Sequence, residues 1–356
     1  DPATRETIRE LECPDFQNNE GDYIYAVCCL NNGDIAVGTG RGSVYVYSAS
    51  AFLDESWSKE QDKYLTTWMK ETKQAVKGET FCWKGVSDKI PKHTDMDCRS
   101  RWENALCPRK IIAKEKQTQQ KRVTALSAFA TEKNILLAIA YKVSGSIKGL
   151  LVLYDPIEGE EVRCFTHKKP ILCVSFSSSF IAVGDKAGKV TLIKYSKLIS
   201  AAEKESSLDS KDTLLGNQAT DPFEQDDAVT CLCFSSDGKM LATGDDSKKI
   251  IIRQINASNL RRENVLKTFA INGQVRSLAF TKDGKFIASG DSDGHVRVKK
   301  VGGQNTDDDL FHIEQDGEIF SVDFSWPWLV AAGESGDVMV HDLGKIADLP
   351  RIKHEG

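Results

Sequence analysis

At 356 residues and 39.4 kDa, with 40% hydrophobic and 28% charged side chains, the chain can bury a sizeable core and is too apolar for wholesale disorder. A net charge of −5 and a pI of about 5.8 argue against a protein dedicated to nucleic acid, and no apolar run approaches the roughly 18 residues needed to span a bilayer. The sequence begins at Asp1 without a basic stretch followed by an apolar one, so no secretory signal is visible. Among the ten cysteines, Cys28, Cys29, Cys173, Cys231 and Cys233 sit inside strand-like apolar runs, where free Cys behaves as a small hydrophobe. A chain of this size needs no disulfide framework, which points to a reducing, intracellular compartment: the cytoplasm, with the nucleus as the alternative.

Self-similarity is the main signal along the chain. A first apolar run, Tyr25 to Leu30, is followed after a turn by Ile35-Ala36-Val37-Gly38 and then by the alternating Val44-Tyr45-Val46-Tyr47. After a long break the first run recurs at Val123 to Phe129 with one residue extra, at Ile171 to Phe176, Val229 to Phe234, Val275 to Phe280 and Ile319 to Phe324. Second runs ending in glycine follow at Ile181 to Gly184, Leu241 to Gly244, Ile287 to Gly290 and Val330 to Gly333. Third runs begin at Leu151, Val190, Ile250, Val296 and Val338, and closing runs stand at Val162 to Phe165, Val265 to Phe269 and Leu310 to Ile313. Runs this short, rich in Val, Ile and Phe, predict strands. Asp237-Gly238, Asp283-Gly284, Asp293-Gly294, Gly33-Asp34 and Gly336-Asp337 between them supply the positive φ that tight hairpins need. Each unit is therefore an antiparallel four-stranded meander, and several must stack to bury both faces.

The pattern resembles the WD-repeat (Trp-Asp repeat) β-propeller family. Ser236 to Gly244 and Lys282 to Gly290 match best, whereas the Trp-Asp pair that ends the family's third strand is degenerate. Its nearest matches are Tyr154-Asp155 and His341-Asp342; other units end in Tyr47-Ser48, Tyr195-Ser196, Arg253-Gln254 and Lys299-Lys300. His167 and His354-Glu355-Gly356 resemble remnants of its Gly-His. Third-strand starts are 107, 39, 60, 46 and 42 residues apart, against about 40–45 per family repeat. The resemblance favours an all-β propeller of seven four-stranded blades in one domain over residues 1–356, one of them degenerate within 49–121. Six blades with a long insertion there is the alternative. Either Thr7 to Leu11 or Leu349 to Lys353 could close the ring.

Two segments break the repeat. The first, 49–121, is basic and holds Trp57, Trp68, Trp83 and Trp102, with a helix expected over Glu55 to Val76. These tryptophans are either a docking element or anchors for the insertion. Cys82, His93, Cys98 and Cys107 are conceivable zinc ligands without the tight Cys pairs of structural sites. The second segment, 197–226, reads as a polar mobile loop. It contains Asp221-Pro222-Phe223, similar to peptides recognised by clathrin-adaptor appendages, or simply linker.

Nothing in the sequence arranges a catalytic constellation: neither Gly-x-Ser-x-Gly, His-Glu-x-x-His nor a phosphate loop occurs. Gly38-Thr39-Gly40-Arg41-Gly42 lies between strands as a hairpin turn, and the acidic pair Asp245-Asp246 and the run Asp307 to Asp309 read as solvated turns. No cofactor or metal is expected. In the resembled family, the loops before first strands and between second and third strands form a partner-binding rim. Carried onto this chain, that rim comprises Arg122, Lys169, Asp227, Gln274, Glu318 and Phe320 together with Arg41, Lys186, Asp246, Ser292 and Glu334, with Arg276 and Phe320 as hot-spot candidates. The expectation is a non-enzymatic scaffold or adaptor binding proteins or peptides at this rim and at the insertion. Alternatives are substrate recognition in a ubiquitin ligase, or RNA binding through the basic 109–122 segment.

Overall fold

The computed structural model describes residues 24–30, 34–47, 57–58, 60–65, 67–68, 87–90, 92–101, 109–111, 121–130, 135–156, 158–194, 212–213, 223–256, 264–302, 309–325, 328–334 and 338–343. They build six sheets, antiparallel throughout except for one short parallel strand. Blade one comprises β1 (Ile24–Cys29), β2 (Ile35–Thr39), β3 (Val44–Tyr47) and β4 (Arg109–Ile111), and blade two β5 (Lys121–Ala130), β6 (Ile135–Val143), β7 (Gly149–Asp155) and β8 (Glu160–His167). Blade three has β9 (Ile171–Phe176), β10 (Phe180–Asp185) and β11 (Lys189–Lys194), closed by β13 (Phe223–Glu224), while β12 (Asp212–Thr213) lies parallel on β8. Blade four is β14 (Val229–Phe234), β15 (Met240–Asp245), β16 (Lys249–Gln254) and β17 (Val265–Ala270). Blade five is β18 (Val275–Phe280), β19 (Phe286–Asp291), β20 (His295–Lys300) and β21 (Phe311–Glu314), and blade six β22 (Ile319–Ser325), β23 (Trp328–Gly333) and β24 (Val338–Asp342).

Among the described residues there are thus six blades and not the favoured seven. The long first interval is accounted for by β4, which pairs with β3 and completes blade one, so the intervening residues are an insertion between its third and fourth strands. The insertion is helical at 60–65 and 67–68, within the expected helix, and again at Asp95–Arg101. In the second segment, β12 and β13 are strands and Phe223 is buried, so the Asp-Pro-Phe ring is not offered to solvent. Thr7 to Leu11, Leu349 to Lys353 and His354 to Gly356 lie outside the described residues.

First strands pack in chain order: β1 on β5, β5 on β9, β9 on β14, β14 on β18 and β18 on β22. Among the described residues β22 and β1 do not pack on one another in this way. Apolar cores fill each gap between successive blades, for example Val296, Val298, Phe286 and Ala288 of blade five against Ile319, Val322 and Leu329 of blade six. Strands buried on both faces read as continuous apolar runs, which is why Ile171–Phe176, Val229–Phe234 and Val275–Phe280 coincide with their sequence-based limits. Glycine is required where backbones meet: a Cβ at Gly244 would lie 2.5 Å from Val275 of the next blade. The expected hairpin glycines 238, 284 and 294 all have positive φ.

Candidate interaction surface

Every first strand carries a register shift, after its opening residue in all but β5, where it follows the third residue, Val123. Val229 pairs with Asp245 and Cys231 with Gly244, Val275 with Asp291 and Ser277 with Gly290, Ile319 with Gly333 and Ser321 with Ala332; equivalent shifts occur in blades one, two and three. The skipped positions are 25, 124, 172, 230, 276 and 320. A bulge re-aims its side chain off the sheet, and here it reaches towards the following blade. The Thr124 hydroxyl donates to the Ile171 carbonyl at 2.9 Å, the Thr230 hydroxyl to the Val275 carbonyl, and Arg276 Nε to Glu318 Oε2 at 3.1 Å. Phe320 occupies the same position in blade six and is 57% exposed.

The rim loops are stapled in pairs. Backbone N–H groups of Lys186, Asp246, Ser292 and Glu334 donate to the carbonyls of Pro170, Ala228, Gln274 and Glu318 at 2.8–3.0 Å. This sets Lys186 near Lys169, Asp246 near Asp227, Ser292 on Gln274 and Glu334 on Glu318. Arg276 joins them across blades, with Glu318 on one side and Asp246 Oδ1 at 4.0 Å on the other. Partial burial raises the Asp246 carboxyl above its usual range; Arg276 opposes that rise, Asp227 and Asp245 add to it, and Lys186 opposes it. Residues from blades three, four and five therefore share one electrostatic field. Arg41 is exposed in the turn before β3, whereas Arg122 lies inside β5, which starts earlier than its apolar run.

Behind the rim, Asp245, expected in a solvated turn, is buried, and so are its counterparts Asp185 and Asp291. Each caps the hairpin into the third strand. Asp291 Oδ1 accepts the N–H groups of Asp293 and His295 at 3.0 and 2.9 Å, and Asp185 Oδ1 those of Ala187 and Lys189 at 2.8 and 3.0 Å. Asp185 Oδ2 also meets buried His167 at 2.8 Å, a direct role for the Gly-His remnant. Burial works against the Asp185 charge, yet the bonds from His167 and the two amides hold its carboxyl below its ordinary range. The degenerate Trp position of the third strand is filled by buried cations: Arg253 lies 5.2 Å over Phe223, and Lys299 5.4 Å over Phe269. Each cation follows its ring by thirty residues.

In the insertion, Trp57 is buried with Leu65, Ile90 and Cys98, stacks on His93 at 3.8 Å and lies under Arg101. Arg101 forks onto Asp62 at 2.9 and 2.8 Å, and Trp68 packs at the cluster's edge. Trp57 thus packs within the insertion itself. His93 faces a ring and Cys98 an apolar cluster; Trp83, Trp102, Cys82 and Cys107 lie outside the described residues. The one grouping with metal-ligand chemistry among the described residues is His295, His312 and Glu314, whose ligand atoms fall within 4.8 Å. His295 there already engages Asp291 at 3.2 Å and Glu314 at 3.5 Å, so ion pairing accounts for the arrangement. The described cysteines are free thiols, and burial pushes Cys28 up to about 11 and Cys231 to about 12, which keeps them protonated and unreactive. Among the described residues no helix is long and apolar enough to cross a membrane.

Residues 219–253 and 263–298 match the family described as WD domain, G-beta repeat. These matched repeats lie within six sheets whose first strands pack in succession, a propeller arrangement. No curated protein matches the chain.

Proposed function

We propose that the chain is a non-enzymatic interaction scaffold, binding other proteins or peptides at the rim centred on Arg276. What supports the reading most is the Asp246–Arg276–Glu318 relay, in which Arg276 on the bulge of β18 joins the turns of the two flanking blades. Side chains held this way lose little entropy on binding, and Arg beside an exposed aromatic such as Phe320 is the composition of a hot spot. Charges of both signs at Lys169, Lys186, Asp227, Asp246 and Glu334 suit a mixed peptide better than a phosphate or a polybasic tail. Free, protonated thiols are compatible with a reducing, intracellular compartment.

Affinity purification with quantitative mass spectrometry should compare wild type, the Arg276→Glu/Phe320→Ala double variant, and a chain lacking 49–108, which keeps β4 on β3. Loss of the same proteins from the double variant, with all three equally folded by circular dichroism, is the expected result. Retention there together with loss from the deletion would move the docking site to the insertion and end the rim assignment.

A further inference from the structure

Blade five differs from its neighbours where its third strand meets its outer one. The register sets His295 opposite Glu314 and Arg297 opposite His312. Blade four has Lys249, Thr268 and Ala270 at the positions of His295, His312 and Glu314. Blade three sets Lys189 opposite Glu224, an exposed lysine–glutamate pair at 3.3 Å. An ion pair across these strands therefore needs no histidine. Blade five instead brings two imidazoles and a carboxylate together, with ligand atoms within 4.8 Å of one another and ring centroids 5.2 Å apart.

The buried side of this cluster decides which nitrogen is offered. Asp291 Oδ1 faces His295 Nδ1 at 3.2 Å, while Arg297 holds Oδ2. A carboxylate only accepts, so Nδ1 carries the hydrogen and Nε2 is turned to Glu314, 3.5 Å from Oε1. As imidazolium, His295 pairs with that carboxylate, which is the ion pair that brings the groups together. As neutral imidazole it sets a lone pair against the Glu314 oxygens, and a cation between the two acceptors relieves that contact. Ligand atoms on one tetrahedral zinc ion stand about 3.3–3.4 Å apart, given bonds of about 2.0–2.1 Å. A carboxylate on the far nitrogen is also what orients zinc-bound imidazoles and raises their basicity. His312 and Glu314 are exposed, so rotation of these two side chains closes the remaining distance without moving the core. The nearest cations, Arg297 and Lys299, are both held by Asp309, at 3.4 and 2.7 Å.

We propose that His295, His312 and Glu314 form a zinc site between the third and outer strands of blade five, with Asp291 orienting His295 and water taking the fourth position. Bound there, the ion clips β21, only four residues long, onto β20 beyond their backbone pairing. The site uses neither Arg276 nor Phe320 and stands or falls independently of the rim.

The test is titration of the full chain, treated with chelator and dialysed, with zinc chloride in a calorimeter. Wild type is expected to bind one equivalent more than the His312→Ala/Glu314→Gln double variant, and each single variant should hold that equivalent at least tenfold more weakly. These changes fall on exposed side chains, so all four chains should share one unfolding midpoint in the presence of chelator. Zinc should also slow amide exchange at 311–314 in wild type and leave it unaltered in the double variant. Absence of zinc binding by wild type would overturn the proposal. So would equal stoichiometry and affinity in the double variant, which would move the metal to other groups such as the thiols.

Discussion

Asp291 offers the sharpest test of how these blades are held. Its carboxylate is buried, accepts two backbone N–H groups at 3.0 and 2.9 Å, and pairs with Arg297, itself buried and 3.4 Å from Asp309. Asp291→Ala strands both amides and removes the nearer partner of a buried guanidinium. Hydrogen bonds to a charged acceptor contribute about 1.5–3 kcal/mol each, and breaking a buried pair costs about 3–5 kcal/mol. Asp309 compensates part of the latter, so the expected loss is about 3–5 kcal/mol. Asp291→Asn keeps an oxygen for the amides and forfeits only the charge, for a loss of about 1.5–3 kcal/mol. Arg297→Met fills the space and leaves the carboxylate with its amides. The double variant Asp291→Asn/Arg297→Met should therefore lose less than the two singles together, with a coupling of about 1–2 kcal/mol.

Urea unfolding followed by circular dichroism and tryptophan fluorescence gives these differences as midpoint shifts at constant slope. A loss below about 1 kcal/mol for Asp291→Ala would refute the capping argument. Equal losses for the alanine and asparagine variants would show that the amide bonds contribute nothing and the ion pair everything.

The hairpin turns give a paired prediction. Gly294 has φ +86° with a would-be Cβ 2.1 Å from the Gln315 carbonyl, so Gly294→Ala should cost at least about 2 kcal/mol, whereas Lys248, held at φ 69°, should gain about 0.5–1 kcal/mol as Lys248→Gly, both read from thermal midpoints. At the degenerate Trp position, Arg253→Met should be milder than Arg253→Ala by about 1–2 kcal/mol, because the aliphatic stem and not the charge fills the site over Phe223; equal losses would contradict this. The Asp185 carboxyl is lower in the folded than in the unfolded chain, so its contribution is present above the unfolded value near 4 and is lost as pH falls through the folded one. Asp185→Asn should accordingly flatten the acid side of the stability profile, and an unchanged slope between pH 5 and the acid transition would count against the His167–Asp185 pairing.

What the sequence discloses follows the physics of burial. Inner strands such as Ile171–Phe176 sit between two blades, so every residue is under selection for apolar packing and the run is visible. β4 is Arg109-Lys110-Ile111 at an outer edge, three residues long and without apolar alternation, and it is invisible without its partner β3. That invisibility is what makes 49–121 resemble a seventh repeat. Buried Asp185, Asp245 and Asp291 are missed for another reason: a lone carboxylate satisfied by backbone amides leaves no periodic trace, and only its place after the second-strand glycine of each unit marks it. The rim fares better. Arg276 and Phe320 are recognisable as the residues that follow each opening β-branched position, although the bulge that aims them emerges only from the register.

The matched repeats also explain how a departure in one unit becomes a surface. Residues 219–253 span β13 of blade three and the three inner strands of blade four, so each repeat in sequence fastens two blades in space. The Phe223–Arg253 contact is one such fastening and Phe269–Lys299 the next. Blade six departs from its neighbours at three such positions. Gly333 stands where Asp291 caps the turn, Phe320 where Arg276 reaches across, and His341 where Lys299 stacks. Random degeneration would scatter such changes through the core, yet Ile319, Val322 and Leu329, which face blade five, remain buried and apolar. His341 keeps a ring contact to the preceding blade, 5.5 Å from Phe311 of blade five. Phe320 in place of Arg276 leaves a ring 57% exposed where the preceding blade carries a side chain bonded to its neighbour.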